Sequence, residues 1–198
     1  MDKRLLIVLY GEKDTGKTTC LINLVMELGV FITGNVNVKQ TIKNTFFNTK
    51  NNRFNDGRFI LVCHGIIIHI CTGGDYWSVC RCNTDLFEGK YSSKMALYLI
   101  DNTGFHRLGN NDIKKYKKAS TISITACRPN NENDGPYLAI SNYVMKNPYR
   151  YKRMIWIKQE SLGEVPLRVQ ELMLILQSYC QCSSANNMIL KGFVCPEQ

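Results

Sequence analysis

No apolar run in this 198-residue chain approaches the roughly 20 residues that a helix needs to cross a bilayer, so the sequence predicts no membrane partner. No internal repeat, linker or composition break divides it, which predicts a single domain over 1–198. The opening Met1-Asp2-Lys3-Arg4 has no signal-peptide pattern and leads straight into an apolar strand, so a cytoplasmic protein with reduced thiols is expected. Acidic residues are scarce, 16 against 25 Lys and Arg, for a net charge of +9. That excess suits either a nucleic-acid surface or a pocket for a polyanionic small molecule, and charge alone does not choose.

Nine cysteines are present. Cys20, Cys63, Cys71 and Cys127 sit inside apolar runs, where a thiol acts as a small hydrophobe. Cys80-x-Cys82 and Cys180-x-Cys182 are spaced more tightly than zinc knuckles, so they too read as free thiols. With hydrophobic residues at 44%, a chain of this length can bury about 70% of its unfolded surface without staples.

Against this ordinary background one stretch stands out, Gly11-Glu12-Lys13-Asp14-Thr15-Gly16-Lys17-Thr18, which reads G-x-x-x-x-G-K-T. Leu5 to Leu9 before it are five apolar residues, enough for a buried strand. After it, apolar residues at 21, 22, 24, 25 and 28 have helical spacing. Strand, glycine loop and helix are the setting in which the motif has a mechanism. The glycines let backbone N–H groups turn inward at a helix N-terminus, Lys17 adds a full charge, and the Thr18 hydroxyl is placed for Mg²⁺.

Further strands are expected near 58–63, 66–71, 96–100, 121–127 and 154–158, with His64-Gly65 as a hairpin turn between the first two. Helices are expected over 76–87, 112–119, 135–146 and from Pro166, whose stripe Val165, Val169, Leu172, Leu176 and Tyr179 faces the sheet. The polar, Asn-rich stretch 29–57 is expected to be an excursion with a weak extended segment at 36–47. The predicted fold is α/β, a three-layer sandwich on a mostly parallel sheet of about six strands with one antiparallel hairpin strand.

Residues 5–28 resemble the first βα unit of the P-loop NTPase superfamily, and the hairpin resembles its Ras-like variant. The resemblance implies Mg²⁺ and a nucleoside triphosphate held by Gly11, Glu12, Lys13, Asp14, Thr15, Gly16, Lys17, Thr18 and Thr19, with hydrolysis as the activity. Two acids compete for the second metal position. Asp75 follows the hairpin and, in a Ras-like order, would stand beside the first strand, so it is favoured at the metal with Thr18; it also suits a helix N-cap. Asp101 ends the run Leu97-Tyr98-Leu99-Ile100 and opens Asp101-Asn102-Thr103-Gly104, which fits the Ras-like D-x-x-G. Whichever is not at the metal is a candidate to position the attacking water. Thr33, Thr41 and Thr45 are equivalent candidates for a mobile-loop Thr. Arg128, at a strand's carboxyl end, is a candidate phosphate or base contact.

Asn131-Glu132-Asn133-Asp134 departs from the guanine-reading N-K-x-D by placing Glu for Lys, so ATP is favoured over GTP. The loop also resembles that of thymidylate-type kinases, but their Asp-Arg motif after the second strand is missing, which leaves a kinase as the alternative. A non-catalytic module docking a protein partner is the third class. The basic, aromatic 146–153 stretch makes nucleic acid a candidate partner, though not the favoured one.

Overall fold

The computed structural model describes residues 5–63, 65–73, 96–109, 112, 116, 122–129, 136–146 and 153–183. Within these, nine strands and four α-helices follow in chain order. They are β1 (Leu5–Tyr10), α1 (Lys17–Thr33), α2 (Asn37–Phe46), β2 (Phe47–Asn48), β3 (Arg53–Phe54), β4 (Arg58–Cys63), β5 (Ile66–Cys71), β6 (Leu97–Asp101), β7 (Gly104–Arg107), β8 (Ile122–Cys127), α3 (Pro136–Lys146), β9 (Arg153–Lys158) and α4 (Val165–Ser183). A 3₁₀ turn at Leu162–Glu164 leads into α4.

Seven strands form one sheet in the order β7-β6-β4-β5-β8-β1-β9, and β2 and β3 form a small antiparallel ribbon. β1, β5, β8 and β9 run in one direction, joined by parallel pairings. β4 is antiparallel to β5, and β6 pairs with β4 in parallel. β6 therefore also runs against β1, so two strands rather than the hairpin strand alone oppose the main direction.

β1 lies between β8 and β9 and has helices over both faces, which is why its sequence is a continuous apolar run rather than an alternating one. Leu5, Ile7 and Leu9 point into the main core with α1, α2 and α4. Leu6 and Val8 point to the other face, against Ile140 of α3. Helix, sheet and helix are thus three layers, as the sequence predicts. Val165, Leu172 and Leu176 of α4 are buried, with Val169 and Tyr179 packed on the same cluster.

Three further expectations change. Residues 37–46 are helix, not extended: Val38, Ile42 and Phe46 recur every fourth residue and are buried, a spacing that the surrounding Asn and Thr obscure. The end of α2 is pinned by rings, with Phe46 at 4.9 Å from Phe59 and 5.0 Å from Tyr98. β7, a strand not expected from the sequence, folds back antiparallel on β6. Finally, a Ras-like order would set β5 directly against β1; here β8 lies between them. The helix expected over 76–87 and most of that over 112–119 lie outside the described residues.

Candidate functional site

β1, β5, β8 and β9 end at the same edge of the sheet; Thr72 after β5 and Arg128 after β8 line a cleft there, and Gly11 after β1 begins the loop whose residues Lys13, Asp14 and Gly16 line it. In open α/β sheets ligands bind outside the carboxyl ends of the strands. The cleft has a volume of about 500 Å³. Lys13, Lys17, Arg53 and Arg128 supply positive charge around it, against the carboxylates of Asp14 and Asp56. Gly16, Thr18 and Thr19 line it as well.

The loop from Gly11 to Gly16 is shaped from outside as well as by its own backbone. Gln159 Nε2 donates to the Thr15 carbonyl at 2.7 Å, and its backbone N–H donates to Tyr10 at 2.8 Å. A Cβ on Gly11 would lie 2.1 Å from the Gln159 carbonyl oxygen, so only glycine fits there. Gly16 has φ +88°, a left-handed conformation that glycine adopts without strain. It begins α1 without any side-chain cap, and the first turn carries no acid. The N–H groups of that turn therefore lack the usual cap partner, on the side of the helix where its dipole is positive.

Lys17 is buried and folds back into the loop, where its Nζ donates to the carbonyls of Gly11 at 2.7 Å and Glu12 at 2.5 Å and to Thr15 Oγ1 at 3.2 Å. Burial pushes its ammonium below the ordinary lysine range, and the Arg128 charge adds to this; Cys127, Glu12 and Asp14 oppose it. An anion entering the cleft would offset both the desolvation cost and the repulsion.

On the facing wall stand residues with no signature in the sequence. Thr18 Oγ1 donates to Asp56 Oδ1 at 2.8 Å and lies 3.2 Å from the Thr72 carbonyl oxygen. The Arg53 guanidinium reaches Asp14 at 2.9 Å, tying the β2–β3 ribbon to the glycine loop. Asp14 takes a left-handed φ of 64°. Asp56, Arg53 and Gln159 escape a reading by motif because they come from segments distant in sequence and meet the loop only through the fold.

Asp101 is not at this edge. Because β6 runs against β1, Leu97 pairs with Arg58 near the cleft and Asp101 lies at the sheet's opposite end. There it is a turn residue, accepting from the Thr103 N–H at 2.8 Å and from the Thr103 hydroxyl. Its match to D-x-x-G reflects this turn, and its candidacy for the metal or the water is withdrawn. Thr33, Thr41 and Thr45 are helical and bond the carbonyls four residues back, away from the cleft. Asp75, the 131–134 tetrad and residues 147–152 lie outside the described residues. Cys20, Cys63, Cys71 and Cys127 are not in disulfides.

Comparison with protein-family models, curated proteins and solved structures gives no match, so the geometry of the cleft itself carries the functional reading.

Proposed function

We propose that the chain binds a magnesium nucleoside triphosphate in this cleft and hydrolyses it, with ATP favoured over GTP. The observation that carries the reading is Lys17, buried and folded onto the carbonyls of its own glycine loop beside an uncapped helix N-terminus. A buried ammonium against amide dipoles is a poor match for solvent and a good one for phosphate oxygens. Lys17 exchanges its carbonyl partners for the phosphates, while the amides of the loop and of the first turn of α1 hold the remaining oxygens. Lys13, Arg53 and Arg128 add charge around the phosphate chain. Mg²⁺ fits the chemistry at Thr18, whose hydroxyl is surrounded by a carboxylate and a carbonyl, the hard oxygen donors this ion takes. When bound, the ion supplies charge stabilisation at the transferred phosphoryl group. Asp75, three residues beyond the cleft-lining Thr72, stays the candidate for positioning water or serving the metal. The protein's catalytic contribution is preorganised charge rather than covalent chemistry.

The preference for adenine rests on the sequence, in which Glu132 stands where N-K-x-D has the Lys that packs along a guanine ring. Titration with a fluorescent ATP analogue in Mg²⁺, with phosphate release measured in parallel, tests the reading. Saturable binding and turnover are expected from the parent. Lys17→Ala is expected to lose binding by roughly 100-fold or more while remaining folded, as charged hydrogen bonds in a desolvated site are lost. Equal affinity in a folded variant overturns the proposal. GTP competing more than about tenfold better than ATP, roughly 1.4 kcal/mol, overturns the base preference.

A further inference from the structure

We infer that Asp56 and Thr18 together form the divalent-cation site of the cleft, with the Thr72 carbonyl completing its protein side. The inference rests on the triphosphate reading above and names a metal ligand that the sequence pattern does not suggest.

Three oxygens converge here from three distant parts of the chain. Thr18 Oγ1 is 2.8 Å from Asp56 Oδ1 and 3.2 Å from the Thr72 carbonyl oxygen. Thr72 Oγ1 lies 3.5 Å from the same Asp56 oxygen. Mg²⁺ bonds oxygen at about 2.0–2.1 Å in an octahedron, so neighbouring ligands stand about 2.9 Å apart. The 2.8 and 3.2 Å separations bracket that edge. Thr18 has a single hydroxyl hydrogen and gives it to Asp56, which leaves an oxygen lone pair free for a cation while the hydrogen bond persists. The Lys17 ammonium is engaged elsewhere, by the carbonyls of Gly11 and Glu12. The cluster is therefore rich in oxygen acceptors, and among the described residues no ion pair reaches Asp56, the Arg53 guanidinium being on Asp14.

Asp56 is held in place by the sheet rather than by a flexible loop. It sits two residues before β4. The Gly57 N–H donates to Thr72 Oγ1 at 2.8 Å, and the Thr72 N–H donates to the Gly57 carbonyl at 3.0 Å. The β4–β5 ladder continues directly from there, with Arg58 opposite Cys71. Thr18 is the second residue of α1. A site on strand ends and a helix start is preorganised, as a metal centre needs. Its carboxylate is also exposed, so neutralising it leaves the core intact.

The test uses the full chain, Mn²⁺ as a paramagnetic probe and a non-hydrolysable ATP analogue. Bound Mn²⁺ is counted by electron paramagnetic resonance, and analogue affinity is measured separately in EDTA. Asp56→Asn is expected to weaken Mn²⁺ affinity roughly tenfold or more, since even partners one shell further out typically matter by that factor. Metal-free analogue affinity is expected to be unchanged or tighter, because a carboxylate near the phosphates has been removed. Asp101→Asn, at the opposite end of the sheet, is expected to match the parent. Equal Mn²⁺ affinity in parent and Asp56→Asn overturns the assignment alone. A loss of analogue binding by Asp56→Asn in EDTA as well also overturns it, since Asp56 would then shape the cleft rather than bind metal. A parent that binds no analogue with or without Mn²⁺ overturns the triphosphate reading, and the assignment falls with it.

Discussion

Gly11 and His69 show how differently a single residue can be constrained. At Gly11 the limit is steric. An added methyl would sit 2.1 Å from the backbone carbonyl oxygen of Gln159, which is itself anchored by its N–H on Tyr10 and its Nε2 on Thr15, so neither side can yield cheaply. Gly11→Ala is expected to destabilise the protein by about 2–3 kcal/mol, in the range of overpacked cores, and to weaken triphosphate binding. Urea unfolding checks the first and analogue titration the second; a variant as stable as the parent would show that the loop is not pinned by β9. His69 is fully buried on β5, and neither ring nitrogen has a hydrogen-bond partner among the described residues. Burial, and then the Arg58 charge, hold it well below the ordinary histidine value of 6.5. The sign follows directly. In the unfolded chain His69 takes a proton as pH falls through 6.5, while in the folded chain it stays neutral. The unfolded state then binds more protons, so stability is lost on acidification below pH 6.5, by up to about 1.4 kcal/mol per pH unit from this group. His69→Leu is expected to remove that part of the slope between pH 6.5 and 5, measured as the difference in unfolding free energy between variant and parent. An identical slope in both proteins would mean the imidazole is not buried neutral.

At the scale of elements, the glycine loop with its flanking strand and helix was legible because all three signals are local: an apolar run, two glycines and a 3.6-residue period. The six expected strands of the main sheet fall within one residue of their observed bounds for the same reason. α2 was not legible. Its three buried residues fit a helix, but seven of its ten residues are polar or charged, and the flanking Asn and Gly weigh toward turns. Packing decides the matter, since α2 is stable only because Phe46 and Ile42 enter the core beside Phe59 and Tyr98. Ile42→Ala is expected to cost about 3 kcal/mol, typical of a fully buried aliphatic truncation. The helical circular dichroism of the folded variant should also fall if α2 detaches. A loss below about 1 kcal/mol would mean that α2 is held by its polar face instead. β7 was invisible for a related reason, since Gly104–Arg107 is short and half-exposed and pairs only with the β6 beside it.

At the scale of the whole molecule, strand direction governs which residues can share a site, and direction is not a local property. The run Leu97 to Asp101 reads equally well as a parallel or an antiparallel strand; the path of the chain before it decides. With β6 reversed, Asp101 and the cleft lie at opposite ends of the sheet. The segment 53–56 carries no motif, yet it lines the cleft, because β4 starts where β5 ends. The prediction at this scale concerns where a ligand is felt. Hydrogen exchange with and without Mg²⁺ and a non-hydrolysable ATP analogue is expected to slow amides at 12–19, since the first turn of α1 has no side-chain cap. Slowing is also expected at 53–57, since Arg53 and Asp56 both touch the loop or its helix. The β6–β7 turn at 102–103 should exchange at the same rate in both states, because no hydrogen bond or ion pair of Asp101 reaches beyond His106 and Thr103 among the described residues. Protection appearing at 102–103 but not at 53–57 would reverse the assignment of the two sheet ends, and would return Asp101 to the site in place of Asp56.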